Sequence, residues 1–282
     1  IIPFIVTYFF LTGRTARRAT IDYLRRLHAF THGKSPRPGW FSAYRLFLAF
    51  GFSAHDKLSA WLDPGLISKL EFPDIALMRE ARESGRGALI VGAHLGNLEM
   101  MRAVAARYGF TGFHAVVHFA HAAKFSGTIK EAAPDSAKDI IHVSSFGPET
   151  AMRLREIIDR GECVVIVGDR TPVSENGQTV TVEFLGAPAE FPRGPFVLAA
   201  ALECPVYLFF CLGHAGGYKV VAEKFADKVT LPRAQRAEEL GRLAGRYASR
   251  LEQLCVAHPL QWFNFFDFWQ PRPTSAPHGP RK

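Results

Sequence analysis

The stretch "VGAHLGNLEM", Val91–Met100, sets a histidine and a carboxylate, His94 and Glu99, five residues apart where the apolar run "GALIVGA" ends. Residues five apart on a regular helix point about 140° away from each other. The two side chains therefore meet only if His94 lies in the loop after a strand and Glu99 in the first turn of the next helix. Gly92 and Gly96 supply the freedom for that bend, and Asn97 is a candidate N-cap. A carboxylate bonded to one imidazole nitrogen fixes the tautomer and leaves the other nitrogen to accept a proton. Backbone N–H groups near Gly96–Asn97, at a helix start, are candidates to hold a developing oxyanion. This chemistry needs no serine or cysteine nucleophile and suits direct attack of an acceptor hydroxyl on an acyl carbonyl.

A second cluster competes. "FHAVVHFAHAAKF" holds His114, His118 and His121. Spacings of four and three suit zinc on a helix face, and a metal-dependent hydrolase is the alternative enzyme class. The first two histidines fall in a strand reading, which leaves His121 off their face unless a turn intervenes. No G-x-S-x-G, G-x-G-x-x-G or P-loop occurs, so hydrolases of the nucleophile-elbow type and nucleotide-binding enzymes have no support.

The elements that must position His94 are those of an α/β fold. Strand-like runs ("GALIVGAH", "FHAVVH", "DIIHVS", "ECVVIVGD") alternate with helical ones, including Asn97–Tyr108, Ala122–Ala132 and "GPETAMRLREIIDRG". "QTVTVEFLG" reads as a hairpin arm, "RGPFVLAAALEC" as a helix, and "CPVYLFFCL" and "GYKVVAEKF" as strands. The last long helix carries Leu240, Leu243, Tyr247, Leu251 and Leu254 on one stripe. The pattern predicts a mixed, mostly parallel sheet flanked by helices, with an antiparallel portion near residues 179–223. Residues 1–85 read as a helical, membrane-associated region, with a break at Gly51; residues 86–269 form the α/β core; 270–282, rich in proline, form a disordered tail.

Charge and composition narrow the class. Residues 1–50 carry eight lysines and arginines against Asp22 alone, although the whole chain is only +8, so the middle is near neutral. A basic skin beside an apolar start suits an anionic membrane surface better than nucleic acid, which needs the charge on the folded body. "IIPFIVTYFFLTG" is too short to span a bilayer. It reads as the end of a longer apolar segment, as an interfacial element or as an ordinary buried helix; a signal peptide is disfavoured because the charges follow the apolar run. The four cysteines have no metal or CxxC spacing and read as buried, reduced thiols. No metal or organic cofactor is implied.

Four blocks carry a resemblance. "HLGNLE" (His94–Glu99) resembles the H-x4-D/E block of glycerolipid acyltransferases, in the bacterial lipid A late acyltransferase branch that includes phosphatidylinositol mannoside acyltransferases. "VIVGDR" (Val165–Arg170), "FPRG" (Phe191–Gly194) and "CPVYLFF" (Cys204–Phe210) are similar to that branch's later blocks, in the same order. "YFFLTGRTARR" and "HPLQWFNF" are also similar. The resemblance implies His94 as general base, Glu99 as its partner, and Asp169, Arg170 and Arg193 at the polar end of the site, on donor or acceptor phosphate. It also implies an acyl-carrier-protein or coenzyme A thioester donor, a lipid or glycolipid acceptor, and a place at the cytoplasmic face of the bacterial inner membrane. Arg193 stands where phosphate-ester acceptor enzymes have Glu, and the end motif has Asp267 where the lipid A enzymes are Arg-rich. Both departures concern the acceptor. A non-catalytic membrane-associated relative is the remaining alternative.

Overall fold

The computed structural model describes residues 1–62, 69–83, 85–100, Val104, Tyr108, 112–118, 140–143, 147–170, 178–214 and 216–269. The expected helix at Ala122–Ala132, the ring of His121 and the expected tail fall outside them.

Three helices open the chain: α1 (Ile2–Thr12), α2 (Arg14–Phe30) and α3 (Trp40–Leu62). Pro3 starts α1, where its missing N–H costs nothing. α3 runs through Gly51 without the expected break. The glycine serves packing instead: a Cβ there would stand 2.5 Å from Val6 Cγ2 of α1, so only a bare backbone lets the two helices approach this closely. α2 turns Tyr23, Leu24 and Leu27 inward. Among the described residues no helix is long and apolar enough to cross a membrane.

The body is a seven-stranded sheet. Its strands are β1 (Leu70–Glu71), β2 (Ala88–Gly92), β3 (Phe113–His118), β4 (Ile140–Val143), β5 (Cys163–Val167), β8 (Val206–His214) and β9 (Gly217–Ala226), in the order β1-β9-β8-β2-β5-β3-β4. β8, β2, β5, β3 and β4 run parallel. β9 is antiparallel to β8 and parallel to β1. A separate antiparallel hairpin, β6 (Thr179–Phe184) and β7 (Ala187–Pro192), stands at the side. The expected mixed, mostly parallel sheet is thus present, with its antiparallel pairs in the expected region.

Helices close both faces because successive side chains of the central strands point to opposite sides. Leu89, Val91, Val164 and Ile166 join one core. It is covered by α5 (Pro148–Asp159), α6 (Gly194–Leu202) and α7 (Arg236–Ala257), whose stripe from Leu240 to Leu254 is buried. Ile90 and Val165 face the other core, with Met78 of α4 (Ile75–Glu83) and Met100. Where a long helix was expected from Asn97, the chain makes a 3-10 turn at Leu98–Met100, with Val104 and Tyr108 helical beyond it. The four thiols are free, and Cys204, Cys211 and Cys255 are buried.

Candidate active site

Two parallel strands end side by side, and each delivers one side chain. β2 and β5 pair with Gly92 opposite Val167. Two residues further along each chain stand His94 and Asp169, so strand register alone brings them together across 75 positions of sequence. The carboxyl ends of adjacent parallel strands are where open α/β sheets form their clefts.

His94 Nδ1 lies 2.8 Å from Asp169 Oδ1. An ionised carboxylate only accepts, so Nδ1 carries the proton and Nε2 is left as the base. Asp169 Oδ2 accepts two more bonds, from the His94 backbone N–H (2.9 Å) and from Trp262 Nε1–H (3.0 Å). The carboxylate is buried and the imidazole is 32% exposed. The pair therefore has a dry, fixed end and an open end. Burial alone would raise the Asp169 carboxyl. The His94 ring, the Trp262 N–H and the Arg170 charge outweigh that and hold it below its ordinary value. The aspartate is thus a fixed negative charge that stabilises an imidazolium when one forms.

The surroundings lock this geometry. Trp262 is fully buried, edge-on to Tyr23, Phe184 and Phe268 with centroids 5.0–5.3 Å away. Its neighbour Phe263 donates its backbone N–H to His94 O (2.8 Å). Tyr247 of α7 donates its hydroxyl to Gly92 O (2.8 Å), just ahead of the histidine. Gly96 has φ +71°, and a Cβ on it would meet Cys211 O at 2.1 Å. The loop after His94 can lie flat on β8 only because this residue is glycine.

The sequence-predicted residues separate into groups. His94, Asp169 and Arg170 come together; the Arg170 guanidinium lies over the Phe266 ring (5.1 Å). Asp169 proves to be a partner of the histidine, a contact that the phosphate-binding expectation did not contain. Glu99 sits in the 3-10 turn; its side chain is outside the described residues. Gly96 and Asn97 do not offer free backbone donors as expected. Gly96 N–H donates to Gln261 O (2.8 Å) and Asn97 N–H to Cys211 O (2.7 Å), because the loop is stitched to its neighbours on both sides. Among the described residues no bond from the Asn97 side chain caps a helix; its amide donates to Ser53 O (2.9 Å) of α3. Arg193 ends the hairpin and gives its Nε–H to Gln178 Oε1 (2.7 Å). Among the described residues no bond joins it to the His94–Asp169 pair.

His114 is drawn into a different contact. Its Nε2 lies 2.7 Å from Glu162 Oε2, and Glu162 is also bonded by Arg160. This trio stands where β3 and β5 begin, at the end of the sheet away from His94. Among the described residues no three histidines, cysteines or acids gather as a metal site; the side chain of His118 and all of His121 lie outside those residues.

Trp262 was missed as a site residue, because an aromatic run near a chain end reads first as packing. Asp169 was placed in the site for another role. The signal that links it to His94 is the parallel between "VGAH" and "IVGD", each an apolar strand that ends in a polar residue just past a glycine.

The model of the bacterial lipid A biosynthesis acyltransferase family matches residues 45–270, which include the seven-stranded sheet and the His94–Asp169 pair. The chain belongs to this family of acyltransferases. No curated protein matches the sequence.

Proposed function

We propose that the protein moves an acyl chain from an acyl-carrier-protein or coenzyme A thioester to a hydroxyl or amine of a lipid or glycolipid acceptor, with His94 as general base. The bond from His94 Nδ1 to the buried Asp169 is the observation that carries this reading. It leaves Nε2 unprotonated and facing the open side. Nε2 takes the acceptor proton as the acceptor oxygen attacks the thioester carbonyl. Asp169 stabilises the imidazolium. The tetrahedral intermediate then collapses, the C–S bond breaks, and the imidazolium returns its proton to the leaving thiolate. No acyl-enzyme is required. The orienting role goes to Asp169. Glu99 is the acid of the H-x4-D/E block, and its contribution is read by comparing Glu99→Gln with Asp169→Asn.

The N-terminal helices support a seat on an anionic membrane surface, at the cytoplasmic face of the inner membrane. Phe4, Tyr8 and Phe9 of α1 and Trp40 and Phe41 of α3 are exposed beside the arginines of α2. Arg170 and Arg193 are assigned to donor or acceptor phosphate, for which a guanidinium fork is suited.

The test is acyl transfer measured by mass spectrometry, with bacterial membranes and a panel of acyl-carrier-protein and coenzyme A thioesters, for wild type and His94→Ala. A lipid that gains an acyl mass only with wild type supports the reading. A fully active, folded His94→Ala protein refutes it.

A further inference from the structure

The mechanism above gives the Asn97 side chain no task, yet it is buried three residues past the base. Its amide nitrogen donates to Ser53 O of α3 (2.9 Å) and reaches the Tyr218 hydroxyl oxygen of β9 (3.5 Å). A carbonyl only accepts, so the bond to Ser53 fixes which end of the amide faces α3. The Tyr218 hydroxyl gives its own proton to Asp56 Oδ2 (2.7 Å), also on α3. Its oxygen is therefore left to accept from Asn97. Burial first, and then the Asp56 carboxylate against the opposing Asn97 amide, push this hydroxyl above its ordinary value, so it keeps the proton it donates. The three groups form one chain of donors, from Asn97 through Tyr218 to Asp56, and both amide hydrogens of Asn97 have an acceptor.

The backbone of the same loop is stitched elsewhere. Gly96 N–H donates to Gln261 O of the closing segment, and Asn97 N–H to Cys211 O of β8. The Asn97 amide adds a third wall, α3. That helix meets the loop a second time. Phe50 lies edge-on to Phe263 (5.4 Å), and the Phe263 N–H holds the His94 carbonyl (2.8 Å). Phe50, Ser53 and Asp56 follow one another along α3 in steps of three. Tyr218 is itself anchored, through its backbone N–H to Lys69 O (2.8 Å).

The placing of this loop matters to the base. Asp169 follows β5, whereas His94 rides on the loop after β2, so the 2.8 Å contact between them holds only while the loop keeps its position. A shift of about 1 Å at a reacting group can cost roughly 100-fold in rate.

We propose that Asn97 is a positioning residue for the acyl transfer: by tying the His94 loop to Ser53 and Tyr218, it keeps the imidazole on Asp169. The kinetic consequence rests on His94 being the base. The position of the ring is read without turnover.

Asn97→Asp keeps the size of the side chain and removes both donor hydrogens. Tyr218→Phe removes only a hydroxyl, and carries the test if a buried carboxylate at position 97 prevents folding, which circular dichroism reads. Each full-length variant is compared with wild type by proton NMR of the His94 Nδ1–H and by steady-state transfer to bacterial membranes with the acyl thioester varied. Wild type is expected to show a downfield, solvent-protected resonance that His94→Ala removes. Asn97→Asp is expected to broaden or lose that resonance and to lower kcat by roughly 10–100-fold, with KM for the thioester within about two-fold of wild type. Tyr218→Phe is expected to move both readouts in the same direction by less. A folded Asn97→Asp protein with an unaltered His94 resonance overturns the proposal, whatever its rate; a loss that then falls on KM would assign Asn97 to substrate binding. If Asn97→Asp does not fold, a Tyr218→Phe protein with the wild-type resonance and kcat overturns it. A wild type that transfers nothing from any thioester would sink the transfer reading, and the resonance would still show whether Asn97 holds the ring.

Discussion

In the proposed mechanism Asp169 is the residue on which the chemistry turns. It accepts three N–H bonds while nearly fully buried, and two of them come from the one histidine it orients. Replacing it with Asn leaves the shape and removes the charge that an imidazolium needs. Asp169→Asn is therefore expected to lower the acyl-transfer rate by about 10²–10⁴-fold, with binding of the donor little changed. A variant with the wild-type rate would show that the orienting acid lies elsewhere, with Glu99 the next to test. The place of His94 just past the end of β2 was legible in the sequence, where the apolar run "GALIVGA" ends. Its partner was not, because 75 residues separate the two and only sheet order makes β2 and β5 neighbours. Trp262 was hidden for another reason. A buried indole is valued by its rings when read in sequence, and only the fold shows where its N–H points.

At the scale of elements, the loop after β2 is the piece that cannot vary. Gly96 combines positive φ with a backbone carbonyl where a side chain would go. Gly96→Ala is expected to cost about 1–3 kcal/mol from the conformation alone, with a further cost from the clash. The measurement is a denaturant titration, and a midpoint equal to wild type would contradict the packing described. The opposite end of the sheet carries a different test. The Arg160 guanidinium, ahead of the His114 ring, holds the Glu162 carboxyl below its ordinary value against the opposing effect of burial. A folded pKa below the unfolded one gives stability that is present above the unfolded value, about 4.3, and lost as pH falls through the folded value. Glu162→Gln is expected to flatten the stability–pH curve in that acid window and to leave transfer activity intact. An unchanged curve would show that the trio contributes nothing to stability. The strands and the last helix followed from their periodicity, since the stripe from Leu240 to Leu254 is buried as its spacing requires. Two expectations misjudged the backbone. Gly51 was read as a helix break, yet it permits a helix contact. Asn97 was read as a cap, yet its side chain ties the loop to α3. In both cases a tertiary contact outranks the local preference.

The whole molecule has an asymmetric surface. An apolar face on α1 and α3, with Phe4 83% and Phe41 75% exposed, adjoins a basic helix. The composition of residues 1–50 made that combination legible, although which side chains face outward depends on how α1 packs against α3. Co-sedimentation with vesicles is expected to be stronger for anionic phosphatidylglycerol than for phosphatidylcholine, and to weaken as salt is raised. Phe4→Asp/Phe41→Asp is expected to reduce binding to both. Indifference to lipid charge and to these substitutions would remove the membrane seat from the proposal. The acceptor was the part least legible from sequence, because Arg193 and Asp267 depart from the blocks on which the resemblance rests.

The decisive measurement is single-turnover acyl transfer to membrane lipid, followed by mass spectrometry, for wild type, His94→Ala and Asp169→Asn at matched fold content. Both variants are expected to fall by at least about 100-fold, while the wild type forms a lipid heavier by one acyl group. A His94→Ala protein that transfers at the wild-type rate would contradict the assignment of His94 as the base.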